Sequence, residues 1–182
     1  MLNTHSNQTK KRQGTDIKCR FKRSDQEKND FIDKILRIDQ AVFGAVLQGT
    51  SDSVGARYEA NKESYILAYH NFEIVGYICF FPITKGLRER IEKEERMFDD
   101  DIQAADILPY PRADEEPGGE YDIFLISVAV LPDYQGIGIG SGLMNEFFTF
   151  VSDKIQSGLI IPVLRVSPEE IVKTPGNLYQ RT

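Results

Sequence analysis

Residues 126–150 read ISVAVLPDYQGIGIGSGLMNEFFTF, and this stretch decides the fold of the chain. An apolar strand leads into a turn in which Gly136, Gly138 and Gly140 alternate, and the turn opens into an amphipathic helix. Alternating glycines let successive N–H groups point inward, with no Cβ atoms to obstruct a ligand. The N-terminus of the helix that follows adds positive potential. The sequence therefore predicts a backbone cradle for a phosphate group.

The spacing of the glycines excludes two common phosphate-binding motifs. A dinucleotide fingerprint requires Gly-x-Gly-x-x-Gly, but Ser141 lies three positions after Gly138, where a glycine is needed. A nucleoside-triphosphate loop ends in Gly-Lys-Ser or Gly-Lys-Thr, and neither tripeptide occurs in the sequence. The pattern that remains is Gln-x-x-Gly-x-Gly, formed by Gln135, Gly138 and Gly140.

This pattern resembles the pyrophosphate-binding motif of the GNAT superfamily of N-acetyltransferases, which bind acetyl-coenzyme A (acetyl-CoA). Val130, Pro132 and Tyr134 match the Val-x-Pro-x-Tyr that precedes the motif in the family. The resemblance implies an α/β (α+β) fold with a mixed central sheet and flanking helices. The alternative is a glycine-rich turn that serves only tight packing between strand and helix.

The resemblance also implies which residues hold acetyl-CoA, the cosubstrate. Its pyrophosphate would lie on residues 135–141, and its pantetheine arm would run beside the strand ending at Val130, where that strand splays from residues 160–166. Backbone groups of residues 128–130 would bind the pantetheine and polarise the thioester carbonyl. The implied cofactor-binding residues are Val128, Ala129, Val130, Gln135, Gly136, Ile137, Gly138, Ile139, Gly140 and Ser141.

The implied reaction is direct attack of a primary amine on the thioester, and this amine needs help to lose a proton. An alkylamine with a pKa of about 10.4 is mostly protonated at pH 7, so a base or a water relay is expected to remove the proton. Several family members carry a glutamate at the place of Phe124, which cannot accept a proton. Three substitutes stay open, namely Glu120, Asp122 and a water held by Ser127.

A tyrosine near the C-terminus is the expected acid for the departing CoA thiolate. Tyr179 follows Leu178 in a pair that resembles the Leu-Tyr motif of the family, although Pro175 and Gly176 would distort a helix that leads to it. The alternative function is a catalytically weak acyl-CoA-binding or regulatory module, which the missing glutamate and the early end of the sequence favour.

The family continues beyond this motif with two further strands, and the sequence ends at Thr182. We therefore expect a disordered tail at residues 1–16 and one acetyltransferase domain at residues 17–182 that lacks its C-terminal strand pair. Two explanations stay open: the sequence is a shortened form, or a partner, with a homodimer as one option, supplies the edge of the sheet.

Composition limits the class of protein and its partners. The 182 residues are 41% hydrophobic, which suits one globular domain, and the net charge of −6 argues against nucleic acid as a principal partner. No apolar segment reaches the length of a membrane span, and the start lacks the apolar core of a secretory signal, so we expect a cytoplasmic protein.

Cys19 and Cys79 are expected to be reduced core thiols. With His5 and His70 as the only histidines, we expect no metal site.

Residues 92–122 hold twelve acidic and three basic residues, a local charge larger than that of the whole chain. A solvated face is the plain interpretation of this segment. The sharper one is that it attracts a cationic amine, from a small molecule or a protein, to the mouth of the active site.

Periodicity predicts the remaining elements. We expect a strand at residues 17–21, a helix from a capping box at residues 24–27 to Gly44, and a loop at residues 48–55. Residues 64–69 and 72–81 predict a hairpin that turns at His70 and Asn71 and ends at Pro82. A short helix within residues 87–98, strands at 123–130 and 160–166, a helix after the glycine turn and a last helix from Ser167 complete the prediction.

Overall fold

A five-stranded sheet forms the centre of the molecule. The computed structural model describes residues 20–23, 27–93, 101–110, 120–156 and 161–166. Its strands, in spatial order, are β1 (Arg20–Arg23), β2 (Tyr65–His70), β3 (Glu73–Ile83), β4 (Glu120–Val130) and β5 (Ile161–Val166). The helices in these ranges are α1 (Lys28–Val42), α2 (Ser51–Ala60), α3 (Lys85–Lys93) and α4 (Ile139–Gln156). The predicted mixed sheet with flanking helices is confirmed.

The direction of the strands changes only at the last pair. Strands β1 to β4 pair antiparallel with their neighbours, whereas β4 and β5 pair in parallel. A parallel pair needs a crossover connection, and α4 provides it. The glycine turn therefore lies where the chain leaves the end of β4 for the crossover helix.

Each face of the sheet has its own apolar core. Helices α1, α2 and α3 cover one face, where the largest buried side chains include Phe31, Tyr65 and Phe81. Helix α4 covers the other face, where Phe147 stacks edge-on against Phe80 at 4.6 Å between ring centroids. We call these the α1 face and the α4 face.

The hairpin of β2 and β3 turns one residue later than predicted. Asn71 and Phe72 are the turn residues, with φ angles of 47° and 69°, a pair of positive values that is typical of a type I′ hairpin turn. His70, predicted in the turn, is instead the last residue of β2 and pairs with Glu73.

Pro82 does not end β3, as predicted, but lies inside it. The pairing of β3 with β2 stops at Cys79, and beyond it the side of β3 away from β4 is bridged by Ile107, which lies opposite Ile83. The carbonyl of Pro82 accepts the N–H of Leu108 on the outer side, at 2.9 Å. In a strand, the N–H and the carbonyl of one residue point to the same side, so the N–H that Pro82 lacks would also point away from β4. Proline therefore removes no hydrogen bond between β3 and β4.

The prediction of a loop at residues 48–55 is wrong, because helix α2 begins at Ser51. The hydroxyl of Thr50 accepts the N–H of Ser53, and the hydroxyl of Ser53 accepts the N–H of Thr50. This capping box closes with serine in place of the usual Glu or Gln. Gly55, which favoured a loop, lies against α1, with the side chain of Ile32 only 3.2 Å from where a Cβ would stand.

Other boundaries shift by a few residues. Helix α1 begins at Lys28 with Glu27 as its N-cap, rather than at the predicted box, and it ends at Val42 before Gly44. Cys79 is buried and is not part of a disulfide, as predicted. The predictions for the tail at residues 1–16, for Cys19, for the helix from Ser167 and for Tyr179 lie outside the described residues.

Candidate active site

Strand β4 carries a bulge that divides it into two halves. Leu125 pairs with Phe80 and Ser127 pairs with Cys79, so Ile126 is an extra residue between them. The first half of β4 also pairs with β5, from Glu120 opposite Ile161 to Leu125 opposite Val166. Beyond the bulge, within the described residues, β4 is paired with β3 alone. The described part of β5 ends opposite Leu125, so the parting of the two parallel strands stays a prediction. We call the side of residues 126–130 that faces away from β3 the open edge.

The backbone groups of the second half of β4 alternate between β3 and the open edge. The N–H of Leu131 donates to the carbonyl of Val75 at 2.9 Å, and Leu131 and Ala129 therefore point their polar groups at β3. By the same alternation, the N–H and carbonyl groups of Val128 and Val130 point at the open edge. These are the backbone groups expected to bind pantetheine.

The turn between β4 and α4 has the backbone conformation that an anion cradle requires. Gly136 and Gly138 have φ angles of 75° and 91°, values that side-chain-bearing residues rarely adopt. The first backbone hydrogen bond of α4 runs from the N–H of Gly142 to the carbonyl of Gly138, at 2.9 Å. The N–H groups of Ile139, Gly140 and Ser141 precede it and so have no partner inside the helix.

The space in front of this turn is open. A Cβ built on Gly136, Gly138 or Gly140 meets no heavy atom within 4 Å among the described residues. A packing glycine gives the opposite result: a Cβ on Gly142 would stand 2.3 Å from Cζ of Phe21. The alternative of a turn that serves only packing therefore applies to Gly142 and not to Gly136, Gly138 and Gly140.

Two contacts fix the turn to the sheet. The side-chain amide of Gln135 donates to the carbonyl of Val130 at 2.8 Å, which ties the turn to the open edge of β4. The ring of Tyr134 lies 5.5 Å from the ring of His70, which ties the turn to the hairpin. The motif residues Gln135 and Tyr134 thus position the cradle, and direct contact of Gln135 with pyrophosphate stays a prediction.

The acidic candidates lie far from the open edge. Glu120 begins β4, and Asp122 precedes Ser127 by five residues, a distance of about 16 Å along a strand. The carboxylate of Asp122 forms an ion pair with Arg88 of α3, at 3.3 Å. Phe124 is 3% exposed and packs against Phe81. Of the candidates that the structure describes, only Ser127 lies beside the open edge.

A buried polar chain that sequence reasoning missed begins at Ser127. The hydroxyl of Ser127 donates to the hydroxyl of Tyr77 at 3.2 Å, and the hydroxyl of Tyr77 donates to the carboxylate of Asp39 in α1 at 2.5 Å. The second oxygen of Asp39 accepts the N–H of Gly49 at 3.1 Å. Burial, and next the negative charge of Asp39, raises the pKa of Tyr77 well above its usual value, so its hydroxyl stays neutral.

Part of the acidic segment serves the fold. Asp106 is 8% exposed and accepts two hydrogen bonds from the guanidinium of Arg90, at 2.8 and 3.2 Å. It also accepts the N–H of Gln103 at 3.0 Å. Together with the pair of Asp122 and Arg88, this contact offsets part of the local negative charge. Attraction of a cationic amine stays a prediction for the rest of the segment.

Two further findings concern the described residues only. No group of three or more His, Cys, Asp or Glu side chains is placed there to hold a metal ion. None of the four described helices has the length and hydropathy that a membrane crossing requires.

The fold and the site together define a family. The family model described as "Acetyltransferase (GNAT) family" matches residues 32–158, which include the sheet from β2 to β4, the glycine turn and α4. The chain therefore belongs to the GNAT acetyltransferase family, which confirms the resemblance. Among curated proteins, none matches the chain significantly.

Two solved structures with TM-scores above 0.5 share the fold at low sequence identity, and a third is similar over much of the chain. The loading GNATL domain of CurA from Lyngbya majuscula is 15% identical, with a TM-score of 0.57 over 80% of this chain and 64% of that chain. GphF, a GNAT-like decarboxylase in complex with isobutyryl-CoA, is 15% identical, with a TM-score of 0.53 over 80% of this chain and 65% of that chain. A GNAT family acetyltransferase from Brucella melitensis in complex with acetyl-CoA is 18% identical, with a TM-score of 0.45 over 81% of this chain and 75% of that chain. The chain spans just under two thirds of the length of the first two.

Proposed function

We propose that the protein transfers an acetyl group from acetyl-CoA to a primary amine, which attacks the thioester carbonyl directly. The observation that carries this proposal is the continuity of two features: the bulged second half of β4 leads directly into the turn with positive φ at Gly136 and Gly138. A diphosphate and an extended polar chain attached to it are the ligand shape that such a turn and edge can bind together.

The residues of the turn would hold the pyrophosphate. The N–H groups of Ile139, Gly140 and Ser141 point out of the first turn of α4, and the open space at Gly140 lets a phosphate approach the backbone closely. Each favourable contact of this kind contributes about 0.3–1 kcal/mol at an exposed site. Because the turn is anchored to Val130 through Gln135, the cradle and the strand edge keep a fixed relation.

The open edge of β4 would orient the thioester. The N–H groups of Val128 and Val130 point at this edge, where one of them can donate to the thioester carbonyl as negative charge develops on its oxygen. The amine nitrogen forms the new C–N bond, the C–S bond breaks, and the CoA thiolate leaves. Tyr179 remains the proposed acid for that thiolate, on the resemblance alone.

The acceptor amine must lose a proton before it attacks. At pH 7 an alkylamine of ordinary pKa carries a deprotonation cost of about 4–5 kcal/mol. The buried Phe124 cannot accept this proton, which favours a second candidate function, a weakly catalytic module that binds acyl-CoA. The amine itself, whether a cationic small molecule or a protein, is part of the proposal only as a class.

Calorimetry and thiol release separate the two candidates. Titration with acetyl-CoA measures binding, and release of the CoA thiol is then followed with a panel of polyamines, aminoglycosides, lysine peptides and peptides with free N-termini. Binding together with amine-dependent release, and an acetylated product by mass spectrometry, supports the transferase. Binding without release for any amine supports the module, and absence of binding contradicts both.

A further inference from the structure

We infer that Ser127, Tyr77 and Asp39 form a relay that accepts the proton of the incoming amine. This inference rests on the proposed function, because it assigns a missing base to that reaction. The relay connects the open edge of β4 to a carboxylate on α1, an element that sequence reasoning placed only in the core.

The relay runs from a half-buried end to a buried end. Ser127 is partly exposed, whereas Tyr77 and Asp39 are each 3% exposed. The hydrogen bonds all point inward, from Ser127 to Tyr77 and from Tyr77 to Asp39. A proton that arrives at the oxygen of Ser127 can therefore move to Asp39 by successive transfers along bonds that already exist.

The bulge at Ile126 is what turns Ser127 toward Tyr77. In a regular strand, residues three apart point to opposite faces, so Phe124 and Ser127 would face opposite sides. The extra residue reverses the alternation, and Phe124, opposite Phe81, and Ser127, opposite Cys79, both lie on the α1 face. The hydroxyl of Ser127 therefore lies on the same face as Phe124, the position of the glutamate that several family members carry. It is nearer than Phe124 to the glycine turn.

A second buried phenol, a thiol and one guanidinium group lie around the relay. Tyr65 of β2 lies beside Tyr77, with 6.1 Å between ring centroids, and its hydroxyl accepts a hydrogen bond from Arg57 of α2 at 3.4 Å. Cys79 lies opposite both Tyr65 and Ser127. Burial is the main reason why the pKa of Tyr65 is also raised, so Tyr65 and Tyr77 both remain neutral at physiological pH.

The transfer balances in protons and charge. The ammonium group of the acceptor gives one proton to Oγ of Ser127, directly or through a water. Ser127 gives its own proton to Oη of Tyr77, and Tyr77 gives its proton to Oδ1 of Asp39, which becomes neutral. The nitrogen lone pair that is released forms the C–N bond to the acetyl carbon, and the pair of the broken C–S bond leaves with the CoA sulfur. The attacking nitrogen loses a second proton as the C–S bond breaks, and the CoA thiolate takes up one proton from the proposed acid, which is recharged by it, so a neutral amide and the CoA thiol leave. Asp39 afterwards returns its proton along the same path to water.

A comparison of two nucleophiles tests the relay in Tyr77→Phe and Ser127→Ala. The first nucleophile is the best alkylamine of the panel; the second is hydroxylamine, which is largely unprotonated at pH 7 and needs no base. We expect kcat/KM for the alkylamine to fall about 100-fold in both variants, a typical effect of removing general base catalysis. The loss should shrink as the pH rises toward the pKa of the amine. Activity with hydroxylamine and affinity for acetyl-CoA should remain close to those of the wild-type protein.

Three controls make the result specific. Tyr65→Phe also removes one buried phenol hydroxyl from the α1 face but leaves the relay complete, so it should behave as the wild type with both nucleophiles. Ser127→Thr keeps a hydroxyl and should restore most of the alkylamine activity. Asp39→Asn should reproduce the loss, provided its circular dichroism shows a folded protein.

The outcomes separate the relay from the proposed function. Equal losses with both nucleophiles, or a wild-type pH profile in Tyr77→Phe and Ser127→Ala, would overturn the relay while acetyl transfer stands. If the wild-type protein binds acetyl-CoA but acetylates no amine, the proposed transfer is wrong and the relay with it.

Discussion

The side-chain amide of Gln135 donates a hydrogen bond to the carbonyl of Val130, at 2.8 Å. Val130 is the last residue of β4, and Gln135 precedes the two glycines of positive φ. This one bond spans the turn between the strand edge proposed for pantetheine and the cradle proposed for pyrophosphate. It explains in structural terms why a glutamine suits the start of the motif, since its side chain offers a donor without adding a negative charge near the anion site.

Replacing Gln135 tests whether this bond organises the cradle. We expect Gln135→Ala to weaken acetyl-CoA binding about 5- to 10-fold, the effect of losing one net hydrogen bond of about 1 kcal/mol. Calorimetric titration measures the change. Gln48→Ala is a matched control, because Gln48 donates a similar bond to the carbonyl of Phe43 at 3.0 Å, away from the turn. An equal loss of affinity in both variants would contradict a local role for Gln135.

Gly140 offers a test of the cradle without backbone strain. Its φ is not positive, it lies in the first turn of α4, and an added Cβ meets no described atom within 4 Å. We expect Gly140→Ala to lower the affinity for acetyl-CoA at least tenfold, because its methyl group occupies the space needed by the phosphate. The melting temperature should stay unchanged or rise slightly, since alanine favours helix.

Gly142→Ala is the contrasting substitution at the neighbouring glycine. Its Cβ would collide with Phe21 at 2.3 Å, so we expect a loss of about 1–3 kcal/mol in the free energy of unfolding. Affinity per folded molecule should be unchanged. The opposite pattern, with binding lost in Gly142→Ala and kept in Gly140→Ala, would remove the cradle assignment. Gly138→Val is a weaker test, because at a φ of 91° the side chain strains the fold as well.

The sequence allowed the second half of the sheet and the turn to be predicted, because each signal there is local. Glycine spacing predicts the turn at Gly138 and helical periodicity places Phe147 in the core, whereas the role of Val128 at an edge was implied by the family resemblance. Helix α2 escaped prediction because its cap uses Ser53 in place of Glu, and because Gly55 reads as a breaker although it serves close packing.

The polar chain from Ser127 could not be predicted for a different reason. Asp39 and Tyr77 lie 38 residues apart in sequence, and each resembles an ordinary residue of its own element. Only the bulge at Ile126 brings Ser127 to their side of the sheet. A bulge inside an apolar strand leaves no sequence signal of its own here, since ISVAV reads equally well as a regular strand.

Asp106 tests whether part of the acidic segment is structural. Its carboxylate binds Arg90 and the N–H of Gln103, and its own carbonyl accepts the N–H of Thr84. Because the side chain of Arg90 is 42% exposed and water weakens the pair, we expect Asp106→Ala to lower the free energy of unfolding by about 1–2 kcal/mol. Urea unfolding measures this value. Lys34→Ala, which breaks a surface pair with Asp30, should change it by only about 0.3–0.5 kcal/mol. Equal effects would contradict a structural role for Asp106.

Tyr179 is tested by removing only its hydroxyl. If it protonates the departing thiolate, Tyr179→Phe lowers kcat while the affinity for acetyl-CoA stays close to that of the wild type. Thiol release under saturating acetyl-CoA and calorimetry measure the two quantities separately. Unchanged turnover would assign the acid to another group.

Stability should fall in alkaline solution because two buried phenols resist ionisation. Burial is the main cause that raises the pKa of both Tyr65 and Tyr77, and the charge of Asp39 adds to the effect at Tyr77. In the unfolded chain each tyrosine loses its proton near pH 10, so above that pH the unfolded state binds fewer protons than the folded state and becomes favoured. Below about pH 10 the contribution of both groups is constant.

Each tyrosine should therefore remove about 1.4 kcal/mol of unfolding free energy per pH unit above this point, until the folded phenol also ionises. Urea unfolding of the wild type and of Tyr65→Phe, between pH about 8 and about 11, measures the slope. The unfolding free energy of Tyr65→Phe should fall less steeply with pH than that of the wild type, by about 1.4 kcal/mol per pH unit. Lysine side chains titrate equally in both proteins and cancel in the difference. Parallel slopes would show that the Tyr65 phenol ionises as easily in the fold as in the unfolded chain, and so that it is hydrated rather than sealed in the core.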